Sequence, residues 1–299
     1  YVTDSAMILE WSDTTDLTYM HADSLWAEEI PFTTYSLIER DSILVDSVMT
    51  AQMPDTIWRD TTYQQLRAFH NVRIFRSDMQ AVCDSARYHG KDSILTLFGL
   101  PICWNEDNQL SADQIDVYIK NQEVDYMHGV GNAIAIKREG IEEFNQLAGK
   151  EMFAYVRDRD IYLVDVQGNA ETVFYPQEDD GTYIGVNRTQ SSFVKLYLKD
   201  RKIDYVLFTT ATTGVMIPLD QALENERKLS GFFWAEEERP HSPEDIFSHP
   251  PRTVRPVAGT VSAAAEDEEE AEEDEEENNS SFDIDDFFEA ALKNSYEGE

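Results

Sequence analysis

The sequence predicts an all-β protein built from stacked antiparallel hairpins, and three observations carry that prediction. Apolar and polar residues alternate through most of residues 1–217, a period of two that sends successive side chains to opposite faces of a sheet. The segment QLSADQIDVYIKNQEVDYMHGVGNAIA (109–135) returns thirty-seven positions later as QLAGKEMFAYVRDRDIYLVDVQGNAET (146–172), and partly again as SFVKLYLKDRKIDYVLF (192–208). Each copy reverses at a short polar stretch: KNQE (120–123), RDRD (157–160) or KDRK (199–202). A return strand then starts at Val124, Ile161 or Ile203, which makes each copy a strand, a tight turn and a strand. Repeats of this length point to a stacked β-structure.

Taken in chain order, the first elements echo the later ones weakly. HADSLW (21–26), CDSARY (83–88) and SADQID (111–116) share a small residue or Cys, then Asp, then a polar residue. HNVRIF (70–75) parallels the Gly-Asn-Ala segments, and FGLPICW (98–104) reads as another such crossing. Residues 27–65 fit poorly and are expected to form a decorated loop with one extra strand near Ser42–Val48. In the three strong copies alternation assigns the faces. Ile115, Val117 and Ile119, then Met152, Ala154 and Val156, then Val194, Leu196 and Leu198 share the inward face. Tyr118 and Tyr155 are expected to face outward. Gly131 and Gly168, each followed by Asn, are expected to supply a positive φ or a bulge where a strand bends.

Three segments follow from composition: a β-domain over 1–217, a helix and proline-rich trailing arm over 218–258, and an acidic tail over 259–299. LDQALENERKL (219–229) has helical spacing and stops at Ser230-Gly231. From about Gly259 the acidic low-complexity run cannot bury enough surface to fold. Beyond it, Phe282, Ile284, Phe287, Phe288, Ala291 and Leu292 form the apolar stripe of a short amphipathic helix. Two readings stand for that tail: a solvated terminus, or a tethered peptide that docks in a partner's groove.

Charge and motifs exclude several function classes. Of the formal −35, residues 265–299 hold 17 of the 59 acidic side chains and one of the 24 basic ones, so the tail carries −16 and the rest −19. No basic stripe is available to neutralise phosphates, so nucleic acid is not an expected partner. No run reaches the roughly 18–20 apolar residues of a membrane-spanning helix. The chain starts at Tyr1, which suggests a processed piece whose export signal has been lost. Cys83 and Cys103 could form one disulfide or remain a pair of buried thiols. None of the six histidines stands in a metal-ligand pattern, and there is no GxSxG, P-loop or GxGxxG placed between strand and helix. Neither metal nor cofactor is expected, and no carboxylate pair stands out as catalytic.

Several segments together resemble the OstA/LptA-type lipopolysaccharide-transport family, and more narrowly its long OstA-like proteins of the Bacteroidetes type. They are LTYMHADSLW, HNVRIFRSDMQAVCDSARY, DSILTLFGLPICWNEDNQLSADQIDVYI, FNQLAGKEM, VQGNAETVFY and IGVNRTQSS. The resemblance covers roughly residues 1–240 and leaves the acidic tail outside. It implies a β-jellyroll of V-shaped rungs, located in the periplasm and associated with the outer membrane. It also implies a role without chemistry, holding acyl chains of lipopolysaccharide or lipid A in an apolar groove and joining other Lpt-type jellyrolls by strand addition. On that reading the nine inward residues line the lipid groove. Phosphates near a body of −19 would be repelled, so either they stay outside the groove or the turn residues Arg157, Arg159, Lys199, Arg201 and Lys202 offset the charge as a headgroup rim. Two alternatives compete: a structural scaffold with a closed core that binds partners through its acidic tail, and a stacked-β enzyme acting on polysaccharide. An unfilled apolar trough favours transport, a sealed interior the scaffold, and a cleft of converging carboxylates the enzyme.

Overall fold

The structure is a computed structural model that describes residues 2–11, 17–38, 43–45, 48–50, 55–178 and 180–248. The acidic tail and its expected short helix lie outside the described residues. Sixteen strands follow one another: β1 (Val2–Trp11), β2 (Leu17–Ile38), β3 (Ile43–Val45), β4 (Val48–Thr50), β5 (Asp55–Arg76), β6 (Met79–His89), β7 (Ile94–Phe98), β8 (Ile102–Asn105), β9 (Asn108–Ser111), β10 (Gln114–Lys120), β11 (Glu123–Arg138), β12 (Phe144–Arg157), β13 (Asp160–Phe174), β14 (Gly185–Lys199), β15 (Lys202–Thr209) and β16 (Thr213–Pro218). A single helical turn, α1 (Glu224–Arg227), and two 3-10 turns at Glu236–Glu238 and Pro243–Phe247 complete the described chain.

Fourteen strands form one sheet that folds back on itself as two walls. The long strands cross from one wall to the other, and their registers slip at the crossing: between Val130 and Ala133 on β11, Ala148 and Glu151 on β12, and Gln167 and Ala170 on β13. Shorter strands take the same course in two pieces. β7 and β10 pair in the first wall, while β8 and β9 pair in the second. All pairings are antiparallel, which gives the stacked-hairpin all-β fold that the sequence predicts, in the β-jellyroll form that the resemblance implies.

Local chemistry makes the corners. The chain adopts positive φ at His70-Asn71, Gly99-Leu100, Gly131-Asn132, Gly168-Asn169 and Thr210-Ala211, all at wall crossings. Gly131 suits that corner because its φ is +71°, in the left-handed region, and a Cβ there would press on the Asp113 side chain. The neighbouring strands answer with aspartates. Asn71 Nδ2 donates to Asp23 Oδ2 at 2.8 Å, and Asn132 Nδ2 to Asp113 Oδ2 at 3.0 Å. Asp23, Asp84 and Asp113 are the shared aspartates of HADSLW, CDSARY and SADQID, so that weak echo marks the corner. At the opposite end of the first wall, Asn121-Gln122, Asp158-Arg159 and Asp200-Arg201 all have positive φ. Two consecutive positive φ values give the turn whose twist suits a two-residue hairpin.

The core lies in the angle between the walls. Leu25, Ala68, Leu97, Ile115 and Met152 from the first wall meet Met20, Val72, Cys103, Leu110 and Leu147 from the second in one buried cluster. Cys83 and Cys103 are both buried, and burial pushes the Cys103 thiol up to about 12.

Two segments differ from the sequence reading. Residues 27–65 are not a decorated loop: β2 and β5 pair continuously from Ser24↔Phe69 to Ile38↔Asp55. Only the part of β5 from Gln65 onward also pairs with β6, so the remainder projects as a two-stranded ribbon. Residues 56–62 of that ribbon are exposed. A ribbon with no buried face needs no apolar alternation, which is why the pattern hid it. β3 and β4 form a separate small hairpin between its two strands.

The second difference lies after β16. Where helical spacing covers residues 219–229, the structure has only the four-residue α1, and the rest is an extended strap across the outer face of the second wall. Gln146 on β12 donates Nε2 to the Arg227 carbonyl (2.7 Å) and accepts from the Leu229 amide (2.7 Å). Gln109 on β9 repeats this with Phe233 (2.6 Å) and Ala235 (2.8 Å). Further along, Arg239 Nε donates to Gln80 Oε1 at 2.9 Å, and Arg73 Nη1 to the Glu238 carbonyl at 3.0 Å. Phe247 finally meets His21 edge-on at 5.1 Å. Leu229 packs on Ile134, Ile136, Val173 and Val186, while Ala235 packs on Val82, Ile102 and Trp104.

Candidate functional site

The inner surface of the two walls carries the candidate site, because alternation delivers one apolar side chain per rung to the same side. Ile115 and Met152 are wholly buried, and Val117, Ala154 and Val194 nearly so. Ile119, Leu196 and Leu198 are partly buried against the same cluster. Val156 sits nearer the free edge of the first wall, half-buried, beside the turn residues. Tyr118 lies on the opposite face and stacks on Tyr126 at 4.1 Å. Cross-strand register extends this into an outer ladder of Tyr118, Tyr126, Tyr155, Leu163, Tyr197 and Tyr205. Desolvation first, and the Tyr118 neighbour second, push Tyr126 up to about 12.

The interior is not filled. Towards β15 and β16 it holds a cavity of about 440 Å³, bordered by Cys103, Leu147, Ala154, Val164, Leu196 and Phe208. Towards β2 and β5 it holds another of about 670 Å³, bordered by Met20, Leu66, Ile74, Leu95, Val117 and Ile119. At the mouth between them lies a polar chamber of about 410 Å³, lined by turn residues of both walls and by Val156. Met79 borders all three spaces.

The five cationic residues anticipated as a rim are all exposed on the first wall's turns or beside them. They do not act alike. Arg157 lies over the Tyr162 ring at 4.2 Å, and Arg159 Nε is 3.7 Å from Glu123 Oε1. Arg201 spans the mouth: Nε donates to Asp160 Oδ1 at 2.8 Å on its own wall, and Nη1 donates to Glu106 on the β8–β9 turn of the other. Asp160 and Glu106 together raise the Arg201 pKa above its ordinary value. Arg239 of the strap holds the same turn, donating Nη1 to the Glu106 carbonyl at 2.7 Å. Lys199 and Lys202 are exposed beside this latch.

Sequence reasoning missed the Arg201–Glu106 latch and the glutamine clamps. A signal for the clamps did exist, since Gln109 and Gln146 are the first residues of the two echoing copies. They occupy outward positions, where a polar residue ordinarily needs no explanation. Among the described residues no group of three or more His, Cys, Asp or Glu could hold a metal ion, and no helix is long and apolar enough to cross a membrane.

No protein-family model matches the chain, and a search of the curated proteins finds no match. Among solved structures, it is similar to LptH from Pseudomonas aeruginosa, described as the LptA homologous periplasmic component of the conserved lipopolysaccharide transport device. The two share 13% identity at a TM-score of 0.38, over 48% of this chain and 99% of that one.

Proposed function

We propose that this chain is a non-catalytic periplasmic carrier in lipopolysaccharide transport to the outer membrane, holding acyl chains between its two walls. The observation that carries the reading is the unfilled apolar interior. Protein cores are packed about as tightly as organic crystals, whereas here cavities of about 440 and 670 Å³ remain between the walls. The scaffold alternative requires a closed core and is disfavoured by the same cavities. The segments that resemble OstA/LptA-type proteins supply the cargo class. Ile115, Val117, Ile119, Met152, Ala154, Val156, Val194, Leu196 and Leu198 are the proposed lining, and burial of an acyl chain there gains about 25 cal/mol per Å² removed from water. Arg157, Arg159, Lys199, Arg201 and Lys202 are the proposed headgroup rim.

Joining to other Lpt-type jellyrolls is proposed at β15 and β16. Among the described residues each pairs with β14 alone, which leaves each an unpaired edge there, and Tyr205, Leu207, Val215 and Met216 stand exposed. Unpaired edges of this kind are templates for strand addition.

A photo-crosslinking residue placed at Val117, Ala154 or Leu196 in cells tests the carrier reading. Lipopolysaccharide adducts are expected at these positions and not at Tyr118 or Tyr155. Normal folding with adducts at neither set would reject the proposal.

A further inference from the structure

We propose that the polar chamber at the mouth is a headgroup seat for one hydroxyl-rich, sugar-type headgroup, so that an amphiphile stops at a defined place along the trough. The inference rests on the carrier reading, because it assumes that acyl chains occupy the interior.

Position comes first. The chamber shares Met79, Asn105, Met127 and Ile161 with the cavity towards β15. It shares Met79, Arg76, Gln122, Glu123 and Val124 with the cavity towards β2. One polar space of about 410 Å³ therefore opens onto two apolar ones, and it falls within the roughly 300–1,000 Å³ of ligand pockets. A molecule with one polar head and more than one apolar chain matches that layout.

The lining then selects the head. Arg76, Lys120, Arg157 and Arg159 bring positive charge to the chamber, and Asp78, Glu123, Asp125 and Asp158 cancel it. Asn105, Asn121 and Gln122 add amides that both donate and accept. A phosphate or carboxylate head needs donors and excess positive charge, and an ammonium head needs acceptors and excess negative charge. A hydroxyl is donor and acceptor at once, so a balanced set of donors and acceptors suits it best. The acids also have their own work: Asp78 Oδ2 accepts from Arg76 Nη2 at 3.0 Å, and Glu123 faces Arg159 at 3.7 Å. Such pairs hold the cations in place while leaving lone pairs and N–H groups for sugar hydroxyls. Its Asn121, Asp158 and Arg159 lie on hairpin turns and Arg157 beside one, all exposed, where side chains can be exchanged without disturbing the core.

Calorimetric titration of the full chain tests this with four probes, each below its micelle-forming concentration. Dodecyl maltoside, dodecyl phosphate and dodecyltrimethylammonium share one chain and differ in head, while N-phenyl-1-naphthylamine has no polar head to seat. Dodecyl maltoside should bind about tenfold more tightly than either charged amphiphile. The double variant Asn121→Gly, Arg157→Gln, whose side chains line the chamber and neither apolar cavity, should erase most of that preference and leave naphthylamine binding unchanged, which also reports an intact fold. Equal affinities for the three heads, an insensitive double variant, or tighter binding of dodecyl phosphate would each overturn the seat while naphthylamine binding upheld the carrier reading. No binding of naphthylamine would overturn both.

Discussion

Replacing Gln109 with leucine tests whether the strap is clamped by side-chain amides. Gln109 is 1% exposed and serves three partners. It donates to the Phe233 carbonyl at 2.6 Å and accepts from the Ala235 amide at 2.8 Å and from Trp104 Nε1 at 3.3 Å. Leucine has similar volume but neither donor nor acceptor, so it strands a buried carbonyl and two N–H groups. Each unsatisfied buried group costs about 1–3 kcal/mol, and partial rehydration of the strap should return some of that. A local loss of about 2–4 kcal/mol is the working figure. Hydrogen exchange at the Ala235 amide reads it directly, because local opening sets the exchange rate. The expected acceleration is about thirtyfold to several hundredfold, at about tenfold per 1.4 kcal/mol. Gln109→Glu provides a control: it keeps the acceptor but buries a charge, and should recover as pH falls and the carboxyl regains a donating proton. Acceleration by less than about threefold in Gln109→Leu would refute the clamp and make the strap a passive cover.

Three further outcomes follow from single sites. Arg201→Ala removes the contact across the mouth; because that contact is exposed, thermal stability should barely move, while exchange of an apolar fluorophore between the walls should quicken, and an unchanged exchange rate would show that the latch does not restrain the mouth. Cys103 has its pKa raised from 9.0 to about 12 by burial; the stability of its neutral form is intact below pH 9, where the unfolded thiol is also protonated, and is lost progressively as pH rises from 9 towards 12. Iodoacetamide at pH 8 should therefore label Cys103 only after denaturation, and rapid labelling of the native chain would contradict the burial. Gly131→Ala places a Cβ at φ +71° against the Asp113 side chain, and should cost about 1–3 kcal/mol by chemical denaturation.

Much of this architecture was legible because repetition and alternation are local signals. Val117 and Tyr118 reveal their faces by adjacency alone, and the three polar turns announce the hairpins by composition. Gly-Asn at 131–132 and 168–169 marked the bends, and both residues of each pair do adopt positive φ. What stayed hidden depends on long-range geometry. Glu106 and Arg201 are 95 residues apart, and only the closing of the angle between the walls brings them together. Gln109 meets the strap 124 residues later, so its echo at Gln146 shows that the position repeats but not that the amide is buried. The spacing of Leu219, Ala222, Leu223 and Leu229 suits a helix face. Leu219, Ala222 and Leu229 instead pack onto an existing wall, where tertiary contact overrides a weak propensity.

The strap and the trough make sense together. A trough left unfilled forgoes packing that an ordinary core would supply, and each vacant contact forfeits dispersion and transfer energy. The second wall recovers stability on its other face, where Trp104, Ile136, Val173 and Leu229 are buried beneath or within the strap. That wall is thus apolar on both sides, while the first wall shows water a ladder of half-buried tyrosines and charged turns. Because the strap crosses β14, β12, β9, β6 and β5 in turn, it also ties together rungs that otherwise meet only their neighbours. A stack held only by neighbour contacts can open anywhere along its length. A clamp across many rungs makes opening of one wall collective, and leaves the mouth, closed by one exposed arginine, as the easiest place to part.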